Sequence, residues 1–198
     1  MQEKERCRCS WLDTSKADYV AYHDDEWGVP VFDDDKLFEY LTLESAQAGL
    51  SWYTILKKRE GYRKAFANFN VDIVALFDHN KVEQLMLDKS IVRHRGKIEA
   101  AINNAKVFIA IQNEFNSFSH YMWAFVNHKT MVNHYDDDDK SPTTSVESDS
   151  WCKDLKKRGF KFVGPTICYA HMQACGMVND HSKSCYKRKQ IIDQFHQD

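Results

Sequence analysis

The sequence lacks long hydrophobic runs. No stretch of its 198 residues approaches the roughly 18 consecutive apolar residues of a transmembrane helix. Residues 1–6 are mostly charged and lack the apolar core of a secretory signal. We therefore expect a protein with no membrane partner that works in the cytoplasm.

Helix-breaking residues and excess charge are also scarce. The chain has three prolines and seven glycines, and its 27 basic and 29 acidic residues give a net charge of −2 at pH 7. That balance alone gives no indication of a nucleic-acid partner. Hydrophobic residues make up 43% of the chain, which excludes a wholly disordered protein. The length indicates one domain, or two small lobes that share a core.

Apolar residues recur at helical spacing along almost the whole chain. Within residues 35–49, an apolar stripe includes Leu37, Leu41 and Ala48, and aspartates just before it can cap a helix. Ser51 can cap the next helix. Only residues 160–163 alternate like a strand, so we predict an all-α fold. The remaining predicted helices cover residues 71–77, 81–87, 97–112, 118–126, 149–158 (capped by Ser148 and followed by Gly159) and 165–174.

Cysteine and histidine form two groups far apart in sequence. Cys7, Cys9 and His23 lie near the start, and His181 and Cys185 lie near the end on one helical face. A His-x3-Cys spacing is typical of half a zinc site. A site with four protein ligands would be structural, because it leaves no open position for a reactive water. Spacing alone leaves chance proximity as the alternative.

Glu44 lies in the apolar stripe of its helix, where an unpaired charge is costly. It is either bonded to neighbouring backbone at the edge of the stripe or a pocket carboxylate that binds a ligand. Aromatic residues accumulate in the same part of the chain. They either fill the core or form a box for a flat, electron-poor ring. They are Trp11, Tyr19, Tyr22, Trp27 and Trp52.

Basic residues are concentrated in three short segments. Residues 89–97 hold Arg93, Arg95 and Lys97 without any acidic residue, in a connection between two predicted helices. A helix–hairpin–helix can aim backbone N–H groups at a phosphate. This connection has only Gly96, fewer glycines than such hairpins usually contain, and a solvated surface is the alternative.

Several ordered motifs together point to a known family. They are RCSW at 8–11, YHDDEWG at 22–28, LESAQAGLSW at 43–52, RHRGKI at 93–98, WAFVN at 123–127, KRGFKFVG at 157–164 and VNDH at 178–181. On these motifs the chain resembles the bacterial 3-methyladenine DNA glycosylase I family of the helix–hairpin–helix glycosylase superfamily. The resemblance covers roughly residues 7–185.

The resemblance implies a single helical glycosylase domain over residues 1–198, with two lobes around a central cleft. The helix–hairpin–helix would span about 80–113, and a zinc site would tie the terminal segments together. Those segments are 7–27 and 178–186, and an acidic loop is expected at 135–145. Ser45 stands where many relatives have glycine, and residues 136–139 and 187–198 match nothing in the family.

The family's functional residues map onto this chain by motif. They imply one structural zinc per chain, no organic cofactor, a catalytic carboxylate, a base-binding pocket and two DNA contacts. The metal ligands would be Cys9, rather than Cys7, with His23, His181 and Cys185. The pocket would consist of Glu44 as the catalytic residue with Trp11, Tyr19, Tyr22 and Trp52. The DNA contacts would be Gly49 and Leu50, which fill the gap in the duplex, and Arg93, Arg95, Gly96 and Lys97, which grip the backbone.

The activity implied by the resemblance is base-excision repair. The enzyme would flip N3-methyladenine out of alkylated double-stranded DNA and hydrolyse its N-glycosidic bond, leaving an abasic site and free 3-methyladenine. It is expected to be a monomer in the bacterial cytoplasm. One alternative is a DNA-binding module that recognises alkylated bases without excising them. Another is a zinc hydrolase unrelated to DNA, which would need an open metal position.

Overall fold

The structure is a computed structural model that describes residues 6–136 and 141–195. Residues 1–5, the central part of the predicted acidic loop (137–140) and the end of the tail (196–198) lie outside the described residues.

Helices joined by short connections make up most of the described chain. Every helix predicted from periodicity overlaps one in the structure, and the predicted helix at 118–126 is α7 followed by a 3₁₀ turn. In the described ranges, no helix is long and apolar enough to cross a membrane. The helices are α1 (Ala17–Asp25), α2 (Asp34–Gln47), α3 (Trp52–Ala65), α4 (Val71–Ala75), α5 (His79–Leu87), α6 (Arg95–Phe115), α7 (Phe118–Trp123), α8 (Val146–Arg158), α9 (Pro165–Ala174) and α10 (Tyr186–Phe195).

The exception to the helical fold is a pair of very short strands. β1 (Met131–Val132) and β2 (Val178–Asn179) pair in parallel. The segment 160–163, predicted to be strand-like, is not a strand: Phe162 has a φ of +51°, which is incompatible with extended backbone. The fold is therefore mostly helical, with one small parallel ribbon.

Polar side chains cap the helices that matter most for the site. Asp33 accepts a hydrogen bond from the Lys36 N–H at 2.9 Å, and Ser51 accepts one from the Thr54 N–H at 3.2 Å, as predicted.

The predicted cap of α8 was wrong by three residues. Ser145, not Ser148, is the N-cap: its side chain accepts from the Ser148 N–H, while the Ser148 hydroxyl accepts from the Ser145 N–H. This reciprocal capping box satisfies two N–H groups at once, which a cap at Ser148 would not do. Gly159 follows the helix with a φ of +103°, as expected of a residue just past its C-terminus.

Helix α2 lies at the centre of the molecule. Every residue from Leu37 to Ala46 is buried, and the helix packs against α3, α6, α7 and α9. A helix that is surrounded in this way must place any polar side chain of its central turns inside the protein. Glu44 is therefore buried because of its position on α2.

The connection between α5 and α6 is held against α3. Lys58 donates to the Lys89 carbonyl at 2.8 Å, and the Tyr62 hydroxyl accepts from the Val92 N–H at 3.2 Å. Gly61 makes the close approach possible, because a Cβ there would lie 2.6 Å from the carbonyl oxygen of Ser90. The start of α6 thus has a fixed position relative to α3.

Gly61→Ala is expected to destabilise the protein, by about 1–3 kcal/mol, because the added methyl group overlaps with backbone. In an ordinary helix interior the same change stabilises by up to about 1 kcal/mol. The sign of the change in the free energy of unfolding therefore shows whether Gly61 is in close contact with Ser90. Urea unfolding measures the difference, with exposed Lys64→Ala on the same helix as the control. A more stable Gly61→Ala protein would contradict this packing.

Candidate functional site

A cavity of about 230 Å³ opens between α1, α2, the start of α3 and α9. The structure brings all five predicted base-binding residues to its wall, although their role in binding a base stays a prediction. Sequence reasoning did not assign Gln47, Ser141, Ala170 or Gln173 to this wall. The complete lining is Trp11, Tyr19, Tyr22, Trp27, Glu44, Gln47, Trp52, Ser141, Ala170 and Gln173.

Half of the residues that line the cavity are aromatic. Tyr22 is buried, with its ring centre 5.3 Å from that of Trp52 and stacked on Tyr19 at 6.5 Å. Trp11 closes the outer side: it is 40% exposed and packs 5.4 Å from Tyr19 and edge-on to Trp27 at 4.9 Å. These electron-rich faces suit a flat ring, and a cationic ring best.

Glu44 supplies the carboxyl group among the described residues that line this cavity. Its side chain is only 4% exposed, and no described residue forms a hydrogen bond with its carboxyl group. Burial therefore raises the pKa of Glu44 to about 8. The alternative of a glutamate satisfied by neighbouring backbone does not hold. A ligand that brings a donor or a positive charge would stabilise the ionised carboxylate.

A tight turn, residues 47–50, connects α2 to α3 beside the cavity; we call it the wedge turn. The Leu50 N–H donates to the Gln47 carbonyl at 2.7 Å, Ala48 has φ −45° and ψ 116°, and Gly49 has φ +81°. This is a type II turn, whose third position favours glycine because φ is positive there. It leaves the Leu50 side chain 41% exposed, next to a second cavity that also contacts Glu44.

The basic side chains of the hairpin between α5 and α6 differ in whether a described residue is bonded to them. Arg93 is exposed at the tip of the hairpin. Arg95 pairs with Glu83 at 2.8 Å, and the Lys97 ammonium group donates to main-chain carbonyls of α2's C-terminal end. Gly96 lies in the first turn of α6, where backbone N–H groups are available to an anion. The binding of DNA by these four residues stays a prediction.

Four buried side chains from the two ends of the chain meet in one cluster. The donor atoms of Cys9, His23, His181 and Cys185 lie within 4.8 Å of one another. The His181 Nδ1 atom is 3.4 Å from both sulfur atoms, and the His23 Nε2 atom is 3.6 Å from the Cys185 sulfur. In a tetrahedral zinc site the sulfur–nitrogen edge is about 3.5 Å, so the donor set fits a metal ion.

Outer hydrogen bonds orient both imidazole rings of the cluster. His23 Nδ1 lies 2.8 Å from the Asp24 carboxylate, which is itself bound by Arg8, and His181 Nε2 lies 3.0 Å from the Trp27 carbonyl. Both acceptors fix the N–H on the outer nitrogen, which leaves the lone pair of the other nitrogen facing the cysteines. Cys7 lies outside this arrangement and is exposed.

The cluster also supports the cavity. Trp27, whose carbonyl accepts from His181, lines the cavity, and the Trp11 ring lies 5.4 Å from the His23 ring. Ordering of the cluster therefore orders one aromatic wall of the site.

Gln173 is the cavity residue that sequence reasoning missed most clearly. Its amide nitrogen donates to Asp180 at 2.8 Å, and Asp180 is buried and also accepts from Tyr169 and Asn133. Because a carboxylate only accepts, this bond fixes the orientation of the amide group. No local pattern indicates such a role, since it depends on contacts between α9 and the segment after β2.

A buried carboxyl group in an aromatic cavity, an exposed leucine on a tight turn and a basic hairpin are together typical of a helical protein that receives a base flipped from a nucleic-acid duplex. Comparison with known proteins specifies this class further. The model of the Methyladenine glycosylase family matches residues 11–189. The chain belongs to this family, which confirms the resemblance seen in its motifs.

Individual relatives are similar over almost their whole length. The DNA-3-methyladenine glycosylase 1 of Escherichia coli (strain K12) is 50% identical over 178 residues, which are 90% of this chain and 95% of that protein. A crystal structure of a 3-methyladenine DNA glycosylase I has a TM-score of 0.88 and 49% identity, covering 91% of this chain and 98% of that one. A structure of the Staphylococcus aureus enzyme, concerned with 3-methyladenine recognition, has a TM-score of 0.87 and 38% identity, covering 91% and 96%.

Glu44→Gln is expected to stabilise the ligand-free protein at high pH. Since the folded-state pKa of Glu44, about 8, lies above the usual value, the unfolded chain loses this proton first, and wild-type stability falls as pH rises from about 4.5 to 8. The stability advantage of the variant should therefore grow by about 3 kcal/mol between pH 5 and pH 8. Urea unfolding at both pH values measures it, with exposed Glu60→Gln as control. A difference that does not change with pH would mean that Glu44 titrates normally.

Proposed function

We propose that this protein hydrolyses the N-glycosidic bond of N3-methyladenine in alkylated double-stranded DNA, releasing the free base and leaving an abasic site. The observation that carries the proposal is Glu44, a buried carboxyl group inside an aromatic cavity that has no hydrogen-bond partner among the described residues. The names of the relatives, DNA-3-methyladenine glycosylase, support the substrate. Their bacterial sources support a role in base-excision repair in the bacterial cytoplasm, where we propose that the enzyme works as a monomer.

The chemistry of the lesion matches the cavity. N3-methyladenine in DNA carries a positive charge, which makes it a good leaving group, and its amino edge offers hydrogen-bond donors. Glu44 accepts from that edge and favours the cation, while Tyr22 and Trp11 stack on the ring. The bond between the sugar and the base breaks, and water adds to the sugar with loss of a proton.

The cavity favours recognition over strong base catalysis. Residues 117–127, which follow the second helix of the hairpin motif, contain no acidic residue, so this stretch offers no carboxylate to activate water. Because Glu44 is engaged by the base, we assign it to binding and charge stabilisation. The glycosidic bond of a labile cationic base breaks without a strong catalytic base, so binding and charge stabilisation are sufficient. Neutral or less labile lesions such as 7-methylguanine should therefore be poor substrates.

DNA handling is divided between two elements. Leu50, which is exposed on the wedge turn, is proposed to fill the space of the extruded base, which would offset part of the unstacking cost of a few kcal/mol. The hairpin offers exposed Arg93 and the backbone N–H groups around Gly96 to the phosphates near the lesion.

Purified protein is expected to release 3-methyladenine from methylated duplex DNA well above the spontaneous rate. Glu44→Gln should lower the excision rate and the affinity for the free base by about 10- to 100-fold, because a charged hydrogen bond is lost. Chromatography of the released bases measures the rate, and Glu60→Gln is the control. Affinity for abasic duplex should stay nearly unchanged. Tight binding of alkylated DNA without base release would instead indicate a non-catalytic recognition module.

We further propose that the four-residue cluster holds one structural zinc ion per chain. Two thiolates and two imidazoles at tetrahedral spacing are a common ligand set of structural zinc sites. Four protein ligands leave no coordination position for a reactive water. The role of the ion is to join the start and the end of the chain, and no organic cofactor is needed.

Metal analysis should find about one zinc per chain. Cys185→Ala should lose the ion and unfold at a lower temperature, whereas exposed Cys7→Ala should keep both the ion and the melting temperature. Removal of the ion by a chelator should reduce base release only to the extent that it unfolds the protein. Circular dichroism measures the unfolding. Rapid, reversible loss of turnover in a folded, zinc-free protein would indicate a catalytic metal instead.

A further inference from the structure

The Lys97 side chain is partly buried, and its ammonium group is hydrogen-bonded to protein. Its Nζ atom donates to the Ala46 carbonyl at 2.8 Å and to the Ala48 carbonyl at 2.6 Å. These carbonyls belong to the C-terminal end of α2, where main-chain acceptors have no donor within the helix. A lysine at this end also complements the negative pole of the helix dipole. The ammonium group is therefore part of the cap of α2.

Lys97 starts from the other DNA-facing element. It lies in the first turn of α6, directly after Gly96 and four residues after Arg93. Its own backbone N–H donates to the His94 ring at 3.2 Å. The Lys97 side chain thus connects the start of α6 to the end of α2. Its two acceptors, Ala46 and Ala48, precede it by 51 and 49 residues in sequence. Because the hairpin is also held against α3, the backbone from which the Lys97 side chain starts has a fixed position.

The other end of the connection is the part of α2 that carries the site. Ala46 lies two residues after Glu44 on the same helix, and Ala48 is part of the wedge turn, two residues before Leu50. A displacement of this end of α2 would move Glu44 and Leu50 together. Phosphate contacts at the hairpin and insertion of Leu50 are therefore made by one connected unit.

We infer that Lys97 is a positioning residue that fixes the wedge turn and Glu44 relative to the hairpin, and that it is not a phosphate ligand. The inference rests on the proposed excision activity and replaces the contact with the DNA backbone expected from the sequence. The two carbonyl bonds use two of the three N–H donors of the ammonium group and hold it at the end of α2. A phosphate that drew the ammonium group away would leave these carbonyls without their donor, and the bond to Ala46 is partly buried. Desolvation lowers the pKa of Lys97, in agreement with an ammonium group that faces protein.

Lys97→Met separates the two roles, because methionine keeps the length of the stem but has neither charge nor donor. We expect the single-turnover excision rate to fall tenfold or more, since misplacement by about 1 Å can cost about 100-fold. Affinity for undamaged duplex and its dependence on salt should match the wild type. A 2-aminopurine base next to an abasic site, which brightens when unstacked, should show reduced Leu50 insertion at saturating protein.

Two control variants calibrate these measurements. Arg93→Met, at the exposed tip, should reduce the slope of log affinity against log salt by about 1. Lys106→Met, exposed further along α6, removes a charge of the same kind and should leave excision and salt slope unchanged. Thermal unfolding checks each variant, and Lys97→Gln, which keeps a neutral donor, replaces the methionine variant if that one does not fold.

A decrease of the salt slope by about 1 in Lys97→Met, with wild-type excision at saturation, would identify Lys97 as a phosphate ligand and overturn the inference. Wild-type excision and 2-aminopurine signal with an unchanged slope would overturn it as well. If the wild type itself releases no 3-methyladenine, the proposed function fails. The 2-aminopurine and salt measurements still test Lys97 in that case, because neither depends on catalysis.

Discussion

The burial of α2 on every side is the constraint on which the rest of the site depends. It buries Glu44, whose carboxyl group has no hydrogen-bond partner in the part of the chain that the structure describes, so the charge remains costly until a ligand arrives. The cost of this arrangement is stability at neutral pH, and its benefit is preference for a cationic base. The same burial leaves the C-terminal end of α2 in need of donors, which Lys97 supplies from a distant helix.

The aromatic cavity depends in turn on the two ends of the chain. His23 and Trp27 come from α1 and the residues after it, whereas His181 and Cys185 come from the segment before α10. Terminal segments usually fray. A metal ion shared between them would hold Trp11 and Trp27 in place, so a structural ion can affect base recognition without taking part in the reaction.

The net charge of −2 hides a separation of charges. Residues 57–64 hold five basic residues and one acidic residue, and two of the basic ones are paired within the protein. Arg59 pairs with Glu26 at 2.7 Å and Arg63 with Glu39 at 2.8 Å. These ion pairs fix α1, α2 and α3 relative to one another around the cavity. Arg93 remains exposed at the hairpin. Counting basic residues in sequence therefore overestimates the charge that is available to DNA, while the net charge underestimates it.

The sequence by itself determined the helices, the family and the residue types of the site. Helical periodicity and caps such as Asp33 and Ser51 are local, because they depend on neighbours within one or two turns. The choice between Ser145 and Ser148, the pairing of β1 with β2 and the orientation of Gln173 by Asp180 were decided only by tertiary structure. The clearest case is Lys97. Its charge and its position in a basic hairpin predict a phosphate contact, which stays a prediction; the structure adds that its ammonium group donates to two carbonyls of the α2 end. A side chain's partner is set by which surfaces meet in three dimensions, and no local pattern encodes that meeting.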